Sequence, residues 1–138
     1  DRFGEGMQFA GGGGGGGQSG NSFVKWEWAQ DVPVYVRSMV KAGDTLFVCG
    51  PPDLINEEQT LEQIIGGHRA VEAQLAEQDE ALQGAKGSLL LAVDTRTGKT
   101  LATYDVDALP SWDAMAAAGG SLFLSTIDGR LICWHGVE

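Results

Sequence analysis

The chain has 138 residues, of which 43% are hydrophobic and 20% are charged, a composition typical of a soluble globular domain with its own core. Its formal net charge is −10, from 19 acidic and 9 basic residues. Neutralising phosphates requires clustered Lys and Arg, whereas Arg37/Lys41 and Arg96/Lys99 are sparse pairs. The composition therefore argues against nucleic acid and anionic membranes as partners. No apolar stretch has the about 18 residues of a membrane span, so we expect no membrane insertion.

Residues 1–22 are predicted to be a glycine-rich tail or linker. Gly11–Gly17 is an unbroken glycine run, and glycine loses the most conformational entropy on ordering. A phosphate-binding loop is excluded because the run lacks a GK[ST] ending and no buried strand leads into it. The chain begins with Asp1 and shows no signal-peptide apolar segment, so we expect a processed product or part of a longer chain.

Strand patterns begin at residue 23. Val24, Trp26 and Trp28 alternate with polar residues, which predicts a half-buried strand. The period of two continues through residues 32–40, where Pro33 indicates a strand start or an edge position. "AGDTLFVCG" then predicts a turn followed by a short apolar strand.

Residues 53–86 differ from their surroundings because they are rich in Glu, Gln, Ala and Leu, which favour helix. Gly66–Gly67 is expected to divide this segment into two helices, and Gly84 is expected to end the second. Helical spacing places one set of residues on a common side: Leu61, Ile64, Ile65, His68, Val71, Leu75 and Leu82. We interpret the segment as an amphipathic helical insertion lying on a sheet, with a metal ligand at His68 as the alternative.

Strands resume after the insertion. "SLLLAVD" predicts an apolar strand, "TRTGK" a turn with Gly98 at positive φ, and "TLATYDVD" the returning strand. Three further short elements follow in "WDAMAAAGG", "SLFLSTIDG" and "RLICWHG". Many short strands separated by turn signals indicate an antiparallel all-β design.

The chain contains an internal repeat. "MVKAGDTLFV" (39–48) aligns with "MAAAGGSLFL" (115–124), and five of the ten positions are identical. Both copies continue to a glycine and an apolar strand, and the helical segment lies where the second copy has only "TIDG". Each repeat is therefore predicted to be a unit of three strands joined by turns.

The segment "LLLAVDTRTGKTLATY" resembles the repeat signature of PQQ-like (quinoprotein-repeat) β-propellers, in which a strand ends in A-x-D, a TG turn follows and an apolar strand returns. The match is carried by Ala92, Asp94, Thr97, Gly98 and Lys99. "GGSLFLSTIDGRLICW" is similar to the other half of that repeat, and the two together cover roughly residues 33–135. The layout is similar to terminal propeller repeats of large envelope proteins of planctomycete-like bacteria.

The resemblance implies an all-β fold of propeller-like antiparallel blades, about one and a half in number, with an α-helical insertion. Residues 23–110 would form one blade carrying the insertion 53–86, and residues 111–138 part of a second. A blade cannot bury both faces alone, and closed propellers use ~4–8 blades. The expected partners are therefore the remaining blades or another protein chain, and homo-oligomerisation stays open. The resemblance also implies an extracytoplasmic location, in the periplasm or cell envelope.

We find no catalytic, cofactor-binding or metal-binding residues in the sequence. Cys49 and Cys133 lack CxxC spacing and are interpreted as buried apolar residues, while a disulfide between them stays open. His68 and His135 have no identifiable catalytic partners. Aspartates near turns are expected to bond their own backbone: Asp94, Asp105, Asp107, Asp113 and Asp128.

Four tryptophans are interpreted as core or blade-packing residues, with a sugar or peptide site as the alternative: Trp26, Trp28, Trp112 and Trp134. The function predicted is that of a non-catalytic scaffold or binding module within a larger protein or assembly, not an enzyme. One alternative is a fragment of a PQQ-dependent oxidoreductase. That site would need a quinone pocket, Ca²⁺ and an Asp base from several blades, and no residue here matches them. The other alternative is a cell-surface carbohydrate-binding or sensor domain.

Overall fold

The computed structural model describes residues 25, 27–55, 60–61, 65 and 70–136. Within these ranges the elements with defined bounds are β1 (Ser38–Ala42), β2 (Thr45–Gly50), α1 (Ala70–Leu82), β3 (Ser88–Asp94), β4 (Thr100–Val106), β5 (Pro110–Ala118), β6 (Ser121–Thr126) and β7 (Leu131–His135). The first sheet has the order β1-β2-β3-β4 and the second β5-β6-β7, with all neighbours antiparallel. The predicted all-β fold with a helical insertion is confirmed. The glycine-rich residues 1–22 lie outside the described residues.

The hairpin between β3 and β4 is built around Asp94 and Gly98. Gly98 has a φ of 72°, and its N–H donates to the Asp94 carbonyl at 2.9 Å. The Asp94 carboxylate accepts the N–H groups of Arg96 at 2.7 Å and Thr97 at 3.2 Å. The Trp28 ring covers this turn so closely that a Cβ on Gly98 would lie 2.5 Å from it. Glycine is therefore required both by the backbone angle and by the ring.

The two similar sequence segments form equivalent hairpins. Met39 pairs with Val48 in the first sheet, and Met115 pairs with Leu124 in the second, so the strand register is the same. Each pair of strands is joined by a two-residue turn that begins at a positive-φ glycine, Gly43 in the first sheet. The internal repeat is thus a structural repeat, as predicted.

The main core lies between the two sheets. Its buried members come from both of them: Cys49, Leu90, Val106, Met115, Leu122 and Leu124. The edge strands β1 and β5 lie beside each other, where the N–H of Asp113 donates to the carbonyl of Arg37 at 3.1 Å. Each sheet therefore has one face that contributes to this core and one face that points away from it.

The opposite face of the first sheet is covered by the chain that precedes β1. Val48, Leu91 and Val93 are buried there beneath residues 28–36. The indole N–H of Trp28 also donates to the Thr95 carbonyl at 2.9 Å. This segment packs its apolar side chains onto the sheet face. Only some of its backbone groups form hydrogen bonds with residues 49–53.

The strand predicted from residue 23 onward is wrong for the described part of that segment. Lys25 and residues 27–33 carry no strand, Val34 forms only an isolated bridge with Pro52, and β1 begins at Ser38. Alternating apolar residues also suit an irregular segment that packs on one sheet face, and that packing replaces ladder pairing here. Val24 and Trp26 lie outside the described residues.

The helical insertion is confirmed, and the buried side of α1 overlaps the one predicted. Val71 is buried and Leu82 is half-buried, as expected, whereas Leu75 is exposed and Ile65 is 79% exposed. The buried side also holds a polar residue that the apolar pattern did not include: Gln78 accepts the N–H of Leu54 at 2.7 Å and donates to the Pro52 carbonyl at 3.0 Å. These two hydrogen bonds anchor α1 to the chain before it.

The predicted helix stop at Gly84 is confirmed by the hydrogen bonds at the end of α1. Gly84 has a φ of 101°, its N–H donates to the Ala81 carbonyl, and the Ala85 N–H donates to the Glu80 carbonyl, each at 3.0 Å. These two bonds define a Schellman motif. The expected helix break at Gly66–Gly67 and the side chain of His68 lie outside the described residues.

Candidate functional site

A groove of about 750 Å³ opens between the two sheets at the end where the β1–β2 and β5–β6 hairpins turn. The groove exists because side-chain sizes are mismatched across it. Residues 117–120 on the second sheet are only Ala and Gly, while Phe47 and Tyr104 extend from the first sheet. The small residues leave room that the aromatic rings do not fill.

The walls of the groove are aromatic and apolar. Phe47, Leu90 and Tyr104 line it from the first sheet, and Leu122 and Trp134 from the second. Among the described residues that line it there is no Asp, Glu, Lys or Arg. The groove therefore offers a largely apolar surface that carries no acidic side chain, lysine or arginine.

One hydrogen-bonded pair stands at the rim of the groove. Ser121 and His135 are directly opposite each other on β6 and β7, and the Ser121 Oγ lies 2.6 Å from the His135 Nδ1. A Ser–His contact could begin a nucleophile–base arrangement, which also needs a group that orients the base and donors for an oxyanion. No such group is bonded to His135 among the described residues, so the pair is a cross-strand hydrogen bond at a groove rim.

The second sheet has an uncovered face on the side away from the first sheet. Strand pairing places eight side chains on that side. Ala118, Ser121 and His135 lie at its hairpin end, beside the groove, and we call the other five the bare face: Ala116, Phe123, Ser125, Leu131 and Cys133. Leu131 is 69% exposed, and Ala116 and Cys133 are also exposed. None of the five carries a formal charge. The bare face is thus an apolar sheet surface without a covering element among the described residues.

The repeat assigns the bare face a counterpart in the first sheet. Ala116 and Phe123 are paired with each other, as are Val40 and Phe47 at the matching positions of the first repeat. Val40 and Phe47 lie on the face that packs against the second sheet. The bare face is therefore equivalent to a surface that already carries a β-sheet elsewhere in the same molecule.

The cysteines do not form a disulfide, since both are free thiols. Cys49 is buried between the sheets, and burial raises the pKa of its thiol to about 11. Cys133 is exposed on the bare face, so the prediction that both cysteines are buried is wrong for Cys133. Strand alternation in β7 places its side chain outward, where no element of the described part of the chain covers it.

The tryptophans have different surroundings. Trp28 and Trp134 pack against the two core clusters, which confirms their packing role. Trp112 is 71% exposed and lies under the guanidinium of Arg37, 5.2 Å from the ring centroid, so its core assignment is wrong. The same guanidinium donates to the Leu82 carbonyl at 3.0 Å, at the end of α1. Trp26 lies outside the described residues.

Asp94 bonds its neighbouring backbone as predicted, whereas Asp128 is held chiefly by side chains. The N–H groups of Arg96 and Thr97 lower the pKa of Asp94, the Arg96 N–H contributing most. A hydrogen bond from the Thr126 hydroxyl lowers the pKa of Asp128 in the β6–β7 hairpin. Asp128 also pairs with Arg130 at 2.8 Å, and Arg130 reaches Asp107 at 3.1 Å. These contacts hold turns together and leave no carboxylate pair aimed at a cavity.

Within the described ranges, no three His, Cys, Asp or Glu side chains are grouped so that they could hold a metal ion. No helix in the same part of the chain has the length and apolar character needed to cross a membrane. The chain matches no protein-family model, no curated protein and no solved structure.

The groove was not foreseen from the sequence. Its small wall is visible as "AAAGG" at residues 116–120, next to an apolar strand, but such a run is equally typical of a tight hairpin. The aromatic wall comes from β2, β4 and β7, which are far apart in the chain. Only the strand order brings Tyr104 and Trp134 to the same end of the molecule.

Proposed function

We propose that this chain is a non-catalytic scaffold or binding module in which consecutive β-sheet units stack as propeller-type blades. The bare face would take the next unit. The proposal depends on one observation. Through the sequence repeat, the bare face of the second sheet corresponds to the face of the first sheet that packs against the second.

The path of the chain supports the propeller-type arrangement. The chain leaves the first sheet at its outer strand β4 and, after residues 107–109, enters the second at β5, which lies beside β1. A return from the outer strand of one sheet to the inner strand of the next is the connection between propeller blades. The resemblance of the β3–β4 hairpin to the PQQ-like repeat points in the same direction.

The stacking is head-to-tail. The first sheet uses the side of Val40 and Phe47, whereas the second uses the opposite side, that of Met115 and Leu124. Two different surfaces therefore meet, and a contact of this kind can be repeated by further units. The partner expected on the bare face is a further antiparallel sheet, from the rest of a longer chain or from another chain.

The other end of the proposed stack, on the first sheet, is covered by the chain itself. The first sheet's Val48 side, which matches the Leu124 side of the second sheet, lies under residues 28–36. That segment replaces a preceding unit and closes the stack at this end. The bare face is the open end, and burial of its apolar area would stabilise a contact there at about 25 cal/mol per Å².

Sedimentation velocity on the chain over a wide concentration range tests this proposal. Another copy supplies the only β-sheets available in a pure sample, so we expect the average mass to rise above the 14.6 kDa monomer. Leu131→Glu should restore the monomer because it places a charge in the contact. Leu101→Glu is the matched control, since Leu101 is 59% exposed on β4 of the first sheet.

The proposal fails if the chain stays monomeric at all concentrations. It also fails if the chain associates but Leu131→Glu and Leu101→Glu have the same effect. Circular dichroism of each variant establishes that the fold is retained before the masses are compared.

A further inference from the structure

We infer that the groove between the two sheets binds a small uncharged molecule with an aromatic body. This site is separate from the bare face, because none of the five residues of the bare face lines the groove. The inference therefore does not rest on the proposed function.

The size of the groove suits a small molecule. Its volume of about 750 Å³ lies within the range of roughly 300–1,000 Å³ that is usual for small-molecule sites. The floor is continuous with the buried core through Leu90 and Leu122. A bound molecule would therefore lose contact with water on its inner side and pack against side chains already held in place.

The walls select for an aromatic body. Phe47 and Tyr104 present rings from the first sheet, and Trp134 presents a ring from the second sheet, which also carries the small residues 117–120. Aromatic rings in contact contribute about 0.5–1.5 kcal/mol beyond the burial of their area. A flat aromatic molecule between these walls would gain from both the ring contacts and the burial of its area, whereas a branched aliphatic molecule would gain only from burial.

The absence of charged side chains from the described lining selects against ionic ligands. A charge moved into an apolar site without a partner loses its hydration and gains nothing in return. The net charge of −10 adds long-range repulsion for anions. Sugars are also poorly served, because the few polar groups on the rim could not bond most of their hydroxyls.

A fluorescence titration of the full chain tests the inference with two matched probes. N-phenyl-1-naphthylamine is uncharged, and 1-anilinonaphthalene-8-sulfonate is a similar aromatic amine with a sulfonate. We expect saturable binding of the uncharged probe at one site per chain. The sulfonate probe should bind at least about tenfold more weakly, since its charge would stay unpaired.

Two substitutions locate the site. Tyr104→Ala removes an exposed ring of the groove wall and should weaken binding of the uncharged probe by about tenfold. Ala117→Phe fills the groove from the small wall, because Ala117 pairs with Leu122 on the core side of the second sheet, and it should prevent saturable binding. Ala116→Phe is the matched control: Ala116 is equally small, lies exposed on the same strand and does not line the groove. Circular dichroism and the unfolding temperature of each variant show that the fold is intact.

The results separate this inference from the proposed function. Leu131→Glu should leave binding of the uncharged probe unchanged, because Leu131 belongs to the bare face. Loss of probe binding in Leu131→Glu or Ala116→Phe, with retention in Ala117→Phe, would show that the probe binds the bare face and would overturn the inference. Equal affinity for the two probes, or binding that never saturates, would overturn it as well.

Discussion

The two sheets share a sequence repeat, yet they differ in the faces that point away from each other: this face is covered in the first sheet and exposed in the second. The first sheet buries Val48, Leu91 and Val93 under residues 28–36, while the second leaves Leu131 and Cys133 in solvent. The hairpins have the same register, so the strands alone do not produce this difference. A sheet's stability in this molecule depends on what lies on its two faces, which is the behaviour expected of stacked repeats.

The largest expected effect comes from breaking the cover of the first sheet. A Cβ at Gly50 would lie 1.8 Å from the carbonyl oxygen of Tyr35. Gly50→Ala should therefore displace the chain before β1 and reduce the free energy of unfolding by about 4 kcal/mol or more, as measured by urea denaturation.

Gly136→Ala is the control for that measurement. The nearest atom to a Cβ at Gly136 is 3.8 Å away, which is an ordinary contact, so the unfolding free energy should change little. A similar small change in Gly50→Ala would show that the cover contributes little to the stability of the first sheet.

A pair of leucines sharpens the comparison between covered and bare faces. Leu91 is 1% exposed beneath the cover, and Leu91→Ala should cost about 2–5 kcal/mol of unfolding free energy because it leaves a cavity. Leu131→Ala on the bare face should change the unfolding free energy of the monomer by no more than about 0.5 kcal/mol. Nearly equal costs at a concentration where the chain is monomeric would contradict the contrast drawn here.

The pH dependence of stability should be shared by the two sheets, because each has a turn aspartate with a lowered pKa. Asp94 is held below its ordinary value of 3.8 chiefly by the Arg96 N–H, and Asp128 by the Thr126 hydroxyl. A lowered folded-state pKa stabilises the fold above the ordinary value, and this contribution is lost as pH falls through the folded-state pKa.

Asp94→Asn and Asp128→Asn should each flatten the fall in unfolding temperature below about pH 4, when thermal unfolding is followed from pH 7 to pH 2. The double variant should be flatter than either single variant. A fall as steep as that of the unchanged chain in both single variants would show that these turns do not contribute to acid unfolding.

The smallest expected effect concerns reactivity, with no change in stability. Cys133 is exposed, whereas Cys49 is buried with a pKa of about 11, so an aromatic disulfide reagent at pH 8 should label one thiol per folded chain. The second thiol should react only when denaturant is added. Rapid labelling of both thiols in the folded chain would mean that the core between the sheets opens readily.

Much of the fold was visible in local patterns. The strands β3 to β7, the turn at Gly98 and the helix stop at Gly84 were predicted because each depends on a few neighbouring residues. The burial of Gln78 on α1 was not, because it depends on hydrogen bonds with the distant backbone of Pro52 and Leu54. The segment before β1 was misjudged for a similar reason: its apolar residues cover a sheet that forms later in the chain.

The candidate sites show the same division. The bare face follows from strand alternation at Leu131 and Cys133 once β7 is known to lie at the edge of the sheet. The groove depends on Tyr104 and Trp134 meeting across two sheets, and no local pattern contains that information.

The sequence by itself determined the antiparallel units, their shared register and the positions of their turns, because period-two alternation and positive-φ glycines act over a few residues. Only the tertiary structure decided which faces are covered, that Gln78 of α1 is buried and where space remains between the sheets. Burial and cavity formation arise from contacts between segments distant in the chain, and these depend on how the sheets stack rather than on any single stretch of residues.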